Sequence, residues 1–439
     1  MLMPMLTEAD PKVSAEGSID PLGMYAIADA LAVRMIPGVR ERQTHPRFLT
    51  AIAVSLSLGS EFDEEVVAAD GVSEPWQVFE WYFVEGLVRT TSDRKLLSGL
   101  PGQDKALSAI KDRVPLSENR YLKTPTVFGF HGVYRALARD AGIERSDRLG
   151  EVGYELLTAW EKEQGLAGFS GTAEGPGRSV RNLLLVAIRD GIKRGAVDRM
   201  PSWSGWNFFS DHLGIYGARE LESQVIAQAL LNPGSGFRRE VLSSLVSQDG
   251  QNLWSSEVEQ RSYSERRFHE LLMGRASLGL KELLDAIDAY EQFCRLLQDA
   301  FDDCLFRMSQ HQQRIQPQEL ESLSGVKRAA KQIPEIFADV STKLSPFGET
   351  VRFEDAFSSL AERTTATEWV ERLLDHHCRI QRSKPPTGKA PWFDRFDDGS
   401  YMIRTGYIRD AGGRYDDAYV HAYRTMSLWS FAKDIGLVS

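Results

Sequence analysis

Cysteine is scarce, with three in 439 residues, which excludes a small secreted scaffold framed by disulfides. Positive charge is in deficit as well. Against 62 aspartates and glutamates stand 52 lysines and arginines, a net charge of -10, so a uniformly basic nucleic-acid binder is excluded and any phosphate contact must come from local clusters. No apolar run reaches the roughly 18 to 20 residues of a membrane span. The opening MLMPMLTEADPKVSAEG carries acids early and has no basic stretch followed by an apolar one, so neither a signal nor a transit sequence is read and a cytoplasmic location is expected. Catalytic motifs are missing too: there is no G-x-S-x-G, and His269-Glu270 lacks the second histidine of H-E-x-x-H.

What is present is helical grammar. Hydrophobic residues make up 42% and charged residues 26%, an ordinary globular balance in a chain too long for one compact domain, so two or three packed units are expected. After a loose tail, Met24, Ile27, Leu31 and Met35 recur at helical spacing until Pro37-Gly38 stops them. A second helix is expected from His45-Pro46 through FLTAIAVSLSL, and a third over SEPWQVFEWYFVEGLV with Ser73 as its N-cap. Segments ending at glycine continue the pattern to about Gly195, and the aromatic stretch from Met200 to Gly214 reads as irregular. The longest helix is expected from about Leu278 to Gln312, with Leu280, Leu284, Ile287, Tyr290, Cys294, Leu297, Phe301, Leu305 and Met308 on one stripe. Thr365 and Glu368 have the spacing of a capping box. Asp397-Asp398-Gly399 predicts a hairpin joining WFDRF to SYMIR, and SLWSFAKDIG a last short helix capped by Ser427. The fold class is mainly α, a multi-unit helical protein with a small C-terminal β-hairpin. Local breaks divide it into a tail (1–20), an N-terminal bundle (21–115), a middle unit with basic helices (116–215), a long-helix unit (216–380) and a hairpin with a short helix (381–439).

Few residues suggest chemistry. Lys389 follows Gly388, but Pro385 and Pro386 have no N–H to offer a phosphate, so this is no nucleotide loop. GTAEGPGRS, Gly171 to Ser179, leads into a helix that opens with Arg178 and Arg181, which suits an anion, although arginine stands where a nucleotide loop needs lysine. His376, His377 and Cys378 are consecutive and point three ways from a helix, so they read as a helix end with exposed imidazoles and not as a metal site. Cys294 and Cys304 read as small core residues. No catalytic, metal or cofactor site is assigned.

Basic clusters carry the stronger signal. His131, Arg135 and Arg139 are four apart and share a helical face; Arg181, Arg189, Lys193 and Arg194 extend along the next helix. In the tail, Lys389, Arg404 and other basic residues are interleaved with Trp392 and further aromatics, a mixture suited to phosphate contact with base stacking. The plain alternative is that these arginines pair with the aspartates of their own segment.

The segment PLGMYAIADALAVRMIPGVRERQTHPRFLTAIAVSLSL, Pro21 to Leu58, resembles the opening of an uncharacterised bacterial family in which a helix ends at Pro-Gly and a basic segment leads into an aromatic or apolar helix. It differs in having His45-Pro46-Arg47-Phe48 where an Arg-Tyr pair is usual. Members of that family are encoded beside helicases, nucleases and other anti-phage defence genes, so the resemblance implies an accessory or scaffold subunit of a defence complex. With the arginine clusters, it implies contact with DNA or other nucleic acid through Arg135, Arg139, Arg178, Arg181, Arg189, Lys193, Lys389, Trp392 and Arg404, with other protein subunits, a helicase or nuclease among them, as partners and no membrane. Two alternatives stand beside it. One is a metal-dependent nuclease using Asp394, Asp398 and Lys389 around the hairpin; the other is a protein-interaction subunit using the long helix and the segment from Met200 to Gly214.

Overall fold

The computed structural model describes residues 20–438 except 64, 172, 233–235, 257–260, 312–313 and 386. The fold is mainly α. In chain order the helices are α1 (Tyr25–Met35), α2 (Phe48–Gly59), α3 (Pro75–Thr90), α4 (Gln103–Asp112), α5 (Pro125–Phe128), α6 (Phe130–Asp140), α7 (Glu151–Gln164), α8 (Pro176–Arg194), α9 (Trp206–Leu213), α10 (Glu220–Leu230), α11 (Arg238–Leu245) and α12 (Gln248–Ser256). They continue with α13 (Arg261–Met273), α14 (Leu278–His311), α15 (Pro317–Leu320), α16 (Ser324–Leu344), α17 (Thr350–Ala361), α18 (Ala366–Ser383) and α19 (Thr425–Asp434). Beside short 3-10 turns, the described residues include two antiparallel two-stranded sheets: β1 (Glu144–Arg145) with β2 (Arg148–Leu149), and β3 (Phe393–Arg395) with β4 (Tyr401–Ile403). No helix of the described residues is long and apolar enough to cross a membrane.

The chain forms two compact units, one of Met1–Leu31 with Glu257–Ala422 and the other of Ala32–Ser256 with Tyr423–Ser439. These boundaries do not follow the sequence division at 115, 215 and 380. Breaks in periodicity mark the ends of helices, whereas units are decided by which distant helices share a core, and here each unit recruits a piece from the far end of the chain.

In the 32–256 unit, α2 is buried on every side from Phe48 to Leu58, as an all-round run of apolar and small residues requires. Phe83 and Phe130 pack with ring centroids 4.7 Å apart, and Phe48 and Tyr134 at 4.9 Å. Helix α3 crosses α9 closely: a Cβ on Gly86 would meet Phe209 at 2.3 Å. Helix α2 begins at Phe48, later than His45-Pro46, because His45 is held outside it. Its Nδ1 lies 2.5 Å from Asp434 and its Nε2 2.9 Å from Ser98 O, while its N–H donates to the Tyr134 hydroxyl. Helix α3 is capped by Glu74 with Gln77, not by Ser73, whose carbonyl accepts from Ala68 N at 2.7 Å. Within Met200 to Gly214 the chain forms α9, and the last helix starts at Thr425 after Arg424, two residues before the expected Ser427.

In the 257–422 unit, the expected stripe of α14 is buried from Leu280 to Met308. It packs on α16, where Gly325 allows close approach: an added Cβ would sit 2.8 Å from Asp299 O. Phe293 and Phe337 flank Phe353 with centroids at 4.9 and 4.7 Å. Thr365 caps α18 through its hydroxyl and Glu368 N at 3.2 Å, completing the expected capping box. The hairpin pairs Phe393 with Ile403 and Arg395 with Tyr401, and Gly399 takes φ +80° in its turn. Residues 408–422 form neither helix nor strand. They lie along α14 in the opposite direction, with Arg409 N on Ser309 Oγ, Gly413 N on Asp303, Arg414 N on Asp299 and Val420 N on Glu291.

Candidate functional site

The structure divides the residues expected at a nucleic-acid surface into three groups. Arg135 and Arg139 do share a face of α6, but that face grips the β1–β2 hairpin. Their Nε atoms lie 2.8 and 3.0 Å from Glu144 Oε1, and both reach Asp147 in the hairpin turn. Glu144 is buried, which pushes its carboxyl up, yet neighbouring His131 and Arg135 outweigh this and hold it at about 2. His131 Nε2 is 3.8 Å from Glu144 Oε2, too far for a hydrogen bond. Two arginines facing two carboxylates leave little charge for phosphate.

Arg181, Trp392 and Arg404 form the second group and correct the expectation made for them. Arg181 is 5% exposed, and its guanidinium donates to Ser57 Oγ and Ser57 O, both at 2.8 Å, and to Glu61 at 2.9 Å. It ties α8 to the end of α2. Trp392 is 4% exposed and stacks on Tyr407 at 4.9 Å, a core contact in which no base has room. Arg404 gives both Nε (3.0 Å) and Nη2 (2.7 Å) to Asp394. Asp394 is thereby committed, and Asp398 accepts from Ser400 N and pairs with Arg314 at 3.7 Å, so the acids proposed for a nuclease serve the hairpin.

Arg189 and Lys193 are exposed, while Arg178 and Lys389 are partly buried. Arg178 makes one long bond, 3.4 Å, to Gly171 O. Arg189 rests its guanidinium 5.8 Å from the Phe62 ring. Neither Arg189 nor Lys193 has a carboxylate partner among the described residues. Lys389 sits just after Gly388, which takes φ +85° at the turn leaving α18.

His376 and His377 overturn the expectation of exposed imidazoles. Both are buried. His376 Nε2 lies 2.7 Å from Leu22 O while its Nδ1 takes a bond from Arg379; His377 Nδ1 lies 2.9 Å from Pro21 O and its Nε2 accepts from Trp392 N at 3.1 Å. These partners fix one neutral tautomer for each ring. Burial depresses both to about 4.

A cavity lined by charged side chains was not anticipated. It has a volume of about 260 Å³ and lies where α13, α14, α16 and residues 416–419 meet. Arg266 donates to Asp417 O at 2.8 Å and pairs with its carboxylate at 2.7 Å, and buried Arg295 donates to Ala418 O through Nε (3.1 Å) and Nη2 (2.9 Å). These two arginines fasten the 408–422 segment, while Arg328, Gln332 and Glu335 face them across the cavity. Glu291 lines the cavity and also belongs to a cluster with Cys294 and His421 whose ligand atoms lie within 4.8 Å of one another. Glu291 and Cys294 are one turn apart on α14, but His421 is 130 residues away from Glu291. No spacing rule could have joined them. Compared with family models, with curated proteins and with solved structures, the chain matches none.

Proposed function

We propose that the chain is an accessory or scaffold subunit of a bacterial anti-phage defence complex, touching nucleic acid through the outward face of α8. The observation that carries this reading is the pair Arg189 and Lys193. They stand one turn apart, exposed and without a carboxylate partner among the described residues, with exposed Arg194 beside them. The arginines of α6, by contrast, are matched by acids. The resemblance over Pro21 to Leu58 supports the defence setting, with a helicase or nuclease as the protein partner. Exposed Leu183 and Val186 on the same outward face favour a protein contact beside the nucleic-acid contact.

The test is binding of the purified chain to labelled double- and single-stranded DNA and RNA across a salt titration. Reversing Arg189→Glu and Lys193→Glu is expected to weaken binding and to reduce the log–log salt slope by roughly 2, about one per lost phosphate contact. Unchanged affinity and slope would remove α8 as the contact. Absence of binding at low salt would leave the protein-only scaffold.

A further inference from the structure

We propose that Glu291, Cys294 and His421 form a zinc site whose fourth position opens on the polar cavity of the 257–422 unit. Three different donors, a carboxylate oxygen, a thiol sulfur and an imidazole nitrogen, converge within 4.8 Å of one another. Magnesium and calcium sites are built from oxygens alone, whereas a mixed sulfur, nitrogen and oxygen set suits zinc. Bonds of about 2.0–2.3 Å in tetrahedral array place donor atoms roughly 3.3–3.8 Å apart. His421 Nδ1 and Glu291 Oε1 now stand at 2.7 Å and share a proton. Exchanging that proton for an ion requires them to part by roughly 0.6 Å on the tetrahedral geometry, a movement that falls on residues 420–421, which belong to no helix or strand.

The surroundings orient the donors. Glu291 Oε2 accepts from Val420 N at 2.5 Å, leaving Oε1 directed at His421. The Tyr290 hydroxyl, which donates to Met24 O at 2.7 Å, packs beside Cys294 and holds that turn of α14 in place. Such partners fix the direction of a ligand and conserve its affinity. Because Glu291 also lines the cavity, an ion has a path to the site, and water from the cavity completes four-coordination. Binding would release the thiol proton and the shared proton and would lock residues 418–421 onto α14. The plain alternative is a fastening made by the His421–Glu291 hydrogen bond over a core cysteine.

The full-length protein, stripped with chelator, is titrated with cobalt(II) and then zinc. One cobalt per chain is expected, with near-ultraviolet sulfur-to-cobalt absorption and the visible bands of a tetrahedral ion, both abolished by zinc. Cys294→Ser should remove the sulfur absorption, and His421→Gln, a change at the surface end of the site, should weaken binding by about tenfold or more. Cys304→Ser and Cys378→Ser should leave the spectrum unchanged. Failure to retain about one metal per chain after desalting, or a sulfur band that survives Cys294→Ser, would overturn the site. If Cys294→Ser fails to fold, His421→Gln decides: wild-type affinity in that variant refutes the proposal.

Discussion

Glu80 is a carboxyl buried in the 32–256 unit, and replacing it with glutamine should exchange a pH-dependent stability for a flat one. Helix α3 places it where the Tyr121 hydroxyl donates to Oε1 at 2.7 Å and His131 N to Oε2 at 3.1 Å. Gly129 leaves it room: a Cβ there would lie 2.0 Å from Oε1. Burial, only partly offset by those donors, raises the carboxyl from 4.5 to about 7. A group raised in the folded state holds its proton there while the unfolded chain has lost it. Its contribution is therefore complete below pH 4.5 and lost as pH rises through about 7. At roughly 1.4 kcal/mol per pH unit, the gap is worth about 3 kcal/mol. Glu80→Gln keeps the neutral form at every pH but turns an amide N–H₂ toward one of the two donors, costing about 1 kcal/mol. Wild type should be the more stable by about 1 kcal/mol at pH 4.5, and the variant by about 2 kcal/mol at pH 8. Tryptophan fluorescence during denaturant unfolding suits the measurement, because seven of the nine tryptophans lie in this unit. Parallel stability profiles for the two proteins between pH 4.5 and 8 would refute the reasoning.

Glu144 should behave in the opposite sense. Its carboxyl is held at about 2 against an ordinary 4.5, so its contribution is present above pH 4.5 and lost as pH falls toward 2. Glu144→Gln is expected to cost about 2 kcal/mol at pH 7, discounted for the half-exposed arginines, with the difference from wild type closing in acid on the same unfolding assay. His376 and His377, depressed to about 4 from 6.5, stabilise the 257–422 unit above pH 6.5 and lose that contribution as pH falls through 4. Protection factors of α18 amides, taken relative to intrinsic exchange at each pH, should fall over that window in wild type and less so in His376→Gln, which stays neutral; an equal fall in both would count against the assignment.

Much of the fold was legible because helix formation is local. The stripe of α14 is read from three- and four-residue steps, the Thr365–Glu368 box from two residues in one turn, and the ends of α7 and α8 from Gly165 and Gly195, which take φ +67° and +69°. The β3–β4 hairpin follows from a turn whose chemistry is carried by adjacent residues. Pairing and burial are settled elsewhere. The four-residue step of Arg135 and Arg139 was readable, but Glu144 and Asp147 become their partners only when the β1–β2 hairpin folds back on α6.

Arg181 looks in sequence like Arg189, its neighbour two turns on, yet one is buried against Ser57 and Glu61 and the other faces outward. The same holds for His376 and His377, whose acceptors Leu22 and Pro21 lie more than 350 residues earlier. Sequence by itself determined that this chain would be helical, where most helices stop, and that phosphate contact could only be local. Tertiary structure alone decided which cations find carboxylates, which imidazoles lose water, and that Glu291, Cys294 and His421 meet. Helical periodicity is set by bonds four residues long, whereas charge pairing and desolvation depend on whatever the folded chain brings alongside.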